Sequence, residues 1–203
     1  MSEGVLSRRS FLVGGASAVA LLAFGGATIW LGKGNGLLRP PGAADDSLLY
    51  GRCIRCERCT MVCPLHAVKS AKVEQGILNV RTPTMDFRAG YCDFCSGHPK
   101  CAESCPTECF TSFDPNKDKL GMAVVDTTEC LLYSGSSECS KRCIDACNYG
   151  ALYLDANNLL RVDDEKCNGC GACEFFCPSA SYLGFRGSQN RGINIEFWEG
   201  ATA

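Results

Sequence analysis

Residues 53–64 read Cys-Ile-Arg-Cys-Glu-Arg-Cys-Thr-Met-Val-Cys-Pro, a run of the form C-x2-C-x2-C-x3-C-P. Cys167, Cys170, Cys173, Cys177 and Pro178 repeat that spacing near the other end of the chain. Two looser runs lie between them. Cys92, Cys95, Cys101 and Cys105 are followed by Pro106, and Cys130, Cys139, Cys143 and Cys147 by Asn148. Three closely spaced thiolates can cap one face of an iron–sulfur cube. The fourth, offset and followed by a turn-forming proline, points away and ligates a second cube. The four runs together supply sixteen cysteines, enough for four [4Fe–4S] clusters.

Working outward, the composition supports this reading over its competitors. The chain has 203 residues and 17 cysteines, an odd count grouped in triplets rather than spread as a disulfide framework. Zinc sites favour two CxxC pairs separated by a long loop, without a third close cysteine. The seventeenth cysteine is Cys109. A body this small has a thin apolar core, and ligation to a rigid inorganic centre would staple it. The formal charge of −2 gives no electrostatic footprint for nucleic acid. Four oxidised clusters with their thiolates would carry the total to roughly −10.

The amino end carries a different signal. Ser7-Arg8-Arg9-Ser10-Phe11-Leu12 precedes a Gly- and Ala-rich apolar stretch from Val13 to Leu31, the pattern of a twin-arginine export signal. A membrane anchor with a basic flank is the alternative, and an uncleaved signal would act as one. Twin-arginine export suits the cysteines, because folded transport lets clusters be inserted in the reducing cytoplasm. The expected location is therefore the periplasmic side of a bacterial inner membrane. The expected division is a signal or anchor over residues 1–32, a linker over 33–46 and a four-cluster body over 47–203.

Within the body the chain repeats a phrase after each fourth cysteine. A small residue stands four places on (Ala67, Cys109, Ala151, Ser181), followed by a larger apolar one. Cys109 thus reads as a slightly enlarged alanine, with a ligand role as the sharper alternative. Short hairpins are expected between Phe110–Phe113 and Met122–Val125 across Asp114-Pro115-Asn116, and between Ala151–Leu154 and Leu159–Val162 across Asp155–Asn158. Ile77–Val80 is a further strand candidate. The expected fold is α+β, a duplicated bacterial-type ferredoxin-like architecture that is rich in loops, with short hairpins and one-turn helices after the cysteine runs.

These motifs, with Leu38-Arg39-Pro40-Pro41-Gly42-Ala43 and the closing Phe197-Trp198-Glu199-Gly200, resemble the NapG/MauM group of periplasmic ferredoxin-type proteins. The resemblance implies that runs one and four share one cluster pair and runs two and three another. One cluster would then use Cys53, Cys56, Cys59 and Cys177, and its mate Cys167, Cys170, Cys173 and Cys63. The inner pair would use Cys92, Cys95, Cys101 and Cys147, and Cys130, Cys139, Cys143 and Cys105. Spacing alone equally permits run one to pair with two and three with four. The resemblance also implies an electron carrier and not an enzyme. Its donor would be a membrane-embedded quinol dehydrogenase of the NapH/MauN type, and its acceptor a periplasmic oxidoreductase of nitrate reduction or methylamine utilisation. A tightly bound iron–sulfur subunit of a molybdopterin enzyme or hydrogenase is the competing role.

Outside the cysteines the candidates are few. Arg52, Arg55 and Arg58 surround run one, where positive charge would favour a reduced cluster or simply solvate a rim. His66 and His98 lack the spacing of Rieske ligands. Gly32-Lys33-Gly34-Asn35-Gly36 matches no nucleotide-binding loop. Phe87, Tyr91 and Phe94 are expected to shield a cluster from water, and Trp30 and Trp198 to pack.

Overall fold

A computed structural model describes residue 17 and residues 36–136, 139–179 and 191–198. The twin-arginine segment, Trp30, most of the proposed signal, Ser181 and the terminal Glu199-Gly200 lie outside the described residues. Among the described residues no helix is long and apolar enough to cross a membrane.

Regular elements are short because the backbone of each run must turn its thiols inward. Helix α1 spans Asp46–Arg52. Its first turn is capped by the Asp45 carboxylate, which accepts the Ser47 and Leu48 N–H groups, and Arg52 closes the negative end of the helix. Among the described residues four one-turn α-helices follow, one per cysteine run: α2 (Arg58–Met61), α3 (Lys100–Glu103), α4 (Arg142–Asp145) and α5 (Ala172–Phe175). Each contains the third cysteine of its run and delivers the fourth just beyond its end. In three runs the residue before the helix is left-handed: Glu57 at φ 61°, Lys141 at φ 56° and Gly171 at φ 80°. Runs one and four share a second left-handed position, Arg55 at φ 56° and Gly169 at φ 73°. Run four uses glycine at both places for packing as well. A Cβ on Gly171 would run into the Phe87 ring, and one on Gly169 into the Gly121 backbone.

Among the described residues six strands form three antiparallel pairs. The first joins β1 (Val68–Ser70) to β2 (Pro83–Met85), in the register Val68↔Met85. The second joins β3 (Met122–Val125) to β6 (Ile193–Glu196), with Met122 opposite Glu196. The third is the hairpin of β4 (Leu152–Leu154) and β5 (Leu160–Val162), turned by Asp155, whose carboxylate accepts the Asn157 and Leu159 N–H groups.

Two strand expectations are corrected. Phe110–Phe113 does not pair with β3: the Thr111 N–H donates to the Gly42 carbonyl, and Phe113 stacks on Phe94 at 5.3 Å. The partner of β3 is β6 because Ile193 and Ile195 alternate inward onto the same core as Ala123. Ile77–Val80 is not a strand. Gly76 at φ 106° and the Asn79 Nδ2 bond to the Gln75 carbonyl fold it into consecutive 3-10 turns over Val73–Gln75 and Ile77–Asn79.

One core runs through the body, from Val68, Phe87 and Phe94 through Leu120 and Leu152 to Leu160 and Ile193, interleaved with cysteines. A smaller cluster of Ala43, Leu49 and Cys109 seals its edge. The supposed linker belongs to this body in part, because Arg39, Pro40, Pro41 and Ala43 are buried. Arg39, only 6% exposed, donates to Asn79 Oδ1 at 2.7 Å, the Pro83 carbonyl at 2.8 Å, Thr82 Oγ1 at 2.9 Å and the Asp46 carboxylate. Buried guanidinium is tolerated where its donors are matched in this way.

Candidate metal centres

The sixteen run cysteines line four hollows, each with three thiols from one run and one from a neighbouring run. Site A, a hollow of about 390 Å³, gathers Cys53, Cys56 and Cys59 with Cys105. Site B, about 340 Å³, gathers Cys92, Cys95 and Cys101 with Cys63. Site C, about 320 Å³, gathers Cys167, Cys170 and Cys173 with Cys147. Site D, also about 320 Å³, gathers Cys130, Cys139 and Cys143 with Cys177. The crossing thiol thus exchanges between runs one and two and between runs three and four. This corrects the grouping that the resemblance implied: Cys177 stands with run three and not with run one, Cys63 with run two, Cys105 with run one and Cys147 with run four. The reason is local. After Cys63 the chain leads into β1, whose Val68 lines site B, after Cys147 into β4, whose Leu152 lines site C, and after Cys105 to Thr111, whose N–H donates to the Gly42 carbonyl.

The donor chemistry fits an iron–sulfur cube, which takes four soft thiolates around a body several ångströms wide. Among the described residues no three His, Cys, Asp or Glu side chains converge on a point fit for one ion. The thiols of Cys101 and Cys143 are pushed up to about 12, and those of Cys59 and Cys170 to about 11, first by burial and also by neighbouring cysteines. Burial raises Cys92 and Cys173 further. Bare thiolates are therefore disfavoured here, and a cationic iron core would supply the missing countercharge. Cys105 departs from this trend. Burial pushes it up, but hydrogen bonds from the Cys109 and Thr107 backbones and side chains outweigh that and bring it below the ordinary thiol value.

The sites stand in the order A, B, C, D. Sites A and B exchange Cys63 and Cys105, and sites C and D exchange Cys147 and Cys177. Sites B and C meet where the Cys92 N–H donates to the Cys170 carbonyl at 2.8 Å. Phe87 lies against Gly171 at this junction, and Phe94 meets the edge of Tyr149 at 6.2 Å. Phe87 and Phe94 are buried, and Tyr91 lines site B beside Phe94, its ring 5.6 Å from Phe175. Site A is the open end: Cys56 is exposed, and Arg55 and Arg58 line its mouth. Arg52 instead reaches the Glu108 carbonyl. Neither histidine lines a hollow. His66 is exposed, and His98 faces Glu103 at 3.8 Å. Trp198 lies under the Lys119 ammonium, 4.7 Å from its ring centroid.

Cys109, 2% exposed, lines site A as a fifth thiol with its Sγ 3.3 Å from Cys105 Sγ. Sequence reasoning missed Thr107 and Ser179, whose hydroxyls approach Cys105 and Cys177. The signal available was their shared place, two residues after a crossing cysteine.

Comparison with known proteins supports iron–sulfur binding by this chain. Models described as 4Fe-4S binding domains match residues 160–181 and 50–74. The ferredoxin-type protein NapF of Escherichia coli (strain K12) is 32% identical over 162 residues, covering 76% of this chain and 90% of NapF. The methylamine utilization ferredoxin-type protein MauM of Methylophilus methylotrophus is 32% identical over 178 residues, 77% of each chain. The ferredoxin-type protein NapG of Escherichia coli (strain K12) is 32% identical over 153 residues, 69% of this chain, and the match spans 65% of its length.

Proposed function

The chain belongs to the family of ferredoxin-type proteins that includes NapG, NapF and MauM, and on that premise we propose that it relays electrons through four [4Fe–4S] clusters. The observation that carries this reading is the set of four hollows, each lined by four run cysteines. The ligand sets follow: Cys53, Cys56, Cys59 and Cys105; Cys63, Cys92, Cys95 and Cys101; Cys147, Cys167, Cys170 and Cys173; Cys130, Cys139, Cys143 and Cys177. Bound there, the clusters supply one-electron redox capacity without substrate chemistry. The protein's own contribution is spacing and insulation. The exchanged thiols hold A against B and C against D, the hydrogen bond from the Cys92 N–H to the Cys170 carbonyl holds B against C, and Phe87, Tyr91 and Phe94 shield the junction from water. Two run pairs with the same exchange constitute the duplicated ferredoxin architecture.

The proposed donor is a membrane quinol dehydrogenase of the NapH/MauN type, and the proposed acceptor a periplasmic oxidoreductase of nitrate reduction or methylamine utilisation. Export as a folded holoprotein through the twin-arginine segment would place the chain between them. Membranes from the source cells, supplied with a quinol under anaerobic conditions, should bleach the visible absorbance of added holoprotein. Bleaching by dithionite but not by quinol would remove the proposed donor. Substituting lysines at both Arg8 and Arg9 should leave the protein in the cytoplasm, and unchanged export would remove the proposed route.

A further inference from the structure

The crossing thiols of the two end sites are built differently from those of the two middle sites. Cys105, which closes site A, has Thr107 Oγ1 at 3.5 Å and Cys109 Sγ at 3.3 Å. Cys177, which closes site D, has Ser179 Oγ at 3.3 Å. The residues in the same places after Cys63 are Leu65 and Ala67, which have no side-chain proton to offer. After Cys147 they are Tyr149, which turns its ring to Phe94, and Ala151, which reaches Cys147 Sγ only through its backbone N–H at 3.3 Å.

The direction of each bond follows from chemistry. A ligating sulfur carries no proton, so the partner must donate. Ser179 is fixed for that task. It is fully buried at 0% exposure, and its Oγ already accepts the Gly192 N–H at 2.7 Å, which leaves its own proton for Cys177. Cys109 packs with Ala43, Leu49 and Phe110, and a second thiolate there would stand 3.3 Å from the ligating Cys105 sulfur and be repelled by it. It is therefore an S–H donor.

We propose that Cys109 with Thr107 at site A, and Ser179 at site D, are positioning residues that raise the reduction potentials of the two end sites above those of the two middle sites. A donor on a ligating sulfur withdraws charge from the cluster and stabilises the reduced form. The electron then rests at the two ends of the row and crosses B and C in transit. Arg55 and Arg58 act in the same sense at site A. This inference rests on the four-cluster reading.

The test is redox-titrated EPR on anaerobically purified holoprotein, with iron counted, for the unsubstituted chain, C109A, C109S and S179A. Alanine already stands at the matching positions 67 and 151, so C109A is expected to keep the fold. C109A is expected to keep its full iron while one midpoint moves to lower potential. C109S, which retains a donor, should restore that midpoint. S179A should lower a different midpoint. Unmoved midpoints in C109A or S179A would overturn the proposal, as would loss of one cluster's iron in C109A, since Cys109 would then be a ligand. An iron-free unsubstituted chain would instead overturn the four-cluster reading itself.

Discussion

Gly171→Ala tests the junction between sites B and C. Gly171 sits at φ 80°, and its missing Cβ leaves room for the Phe87 ring. A left-handed alanine costs about 1–2 kcal/mol. Forcing a methyl into the packed ring adds about 1–3 kcal/mol, so the substitution should cost about 2–5 kcal/mol in all. For a body of this size a kcal/mol moves the midpoint by about 2–4 °C, which puts the expected fall at about 4–20 °C. The readout is the temperature at which the cluster absorbance bleaches anaerobically at a fixed scan rate. Phe87→Ala removes the obstructing ring, so on that background Gly171→Ala should cost only the backbone strain of about 1–2 kcal/mol. The two substitutions are thus expected to couple. Strictly additive effects, or a full-size loss in the Phe87→Ala background, would refute the packing of run four on Phe87.

Four further outcomes follow from the same geometry. Arg55→Gly relieves a left-handed arginine at an exposed position and should stabilise the fold by about 1 kcal/mol after the glycine entropy cost, read as a slightly higher bleaching temperature; a clear loss would contradict the left-handed backbone at this position. Arg39→Met leaves Asn79 Oδ1, Thr82 Oγ1 and the Pro83 carbonyl without their cation and should cost about 3–5 kcal/mol in the same assay. Cys177→Ala should empty site D and leave site A intact, visible as loss of one EPR signal that Cys105→Ala leaves in place. In the apoprotein, the thiols of Cys101 and Cys143 rise from 9.0 to about 12 on folding. Their contribution to apoprotein stability is therefore present below pH 9 and lost as pH rises toward 12, whereas cluster assembly must release those protons and should strengthen with pH. Apoprotein melting curves at pH 8 and 11, and iron–sulfide reconstitution at pH 7 and 9, measure the two opposite slopes.

What could be read from the sequence was what is local. The β4–β5 hairpin was legible because Asp155 turns it within a few residues and both strands alternate. The four triplets were legible because their spacing is itself the ligand geometry. The β3–β6 pair was not, since its register joins segments distant in the chain and Phe110–Phe113 offered a nearer apolar partner. The crossing thiols were equally hidden: Cys63 and Cys177 follow their triplets identically whichever run they serve, and only the folded body brings Cys63 to site B and Cys177 to site D. Arg39 reads as a solvated residue in a Pro- and Gly-rich linker, because its four acceptors come from segments that meet only in the folded body. Ser179 and Thr107 each follow a Cys-Pro pair, a local pattern that does not reveal which sulfur their hydroxyls approach.

Chemical analysis of iron and acid-labile sulfide in anaerobically purified holoprotein bears most directly on the four thiol quartets. The quartets predict about sixteen of each per chain, four for every cube. A protein that holds zinc in place of iron, or whose cysteines are joined to one another as disulfides, would contradict them.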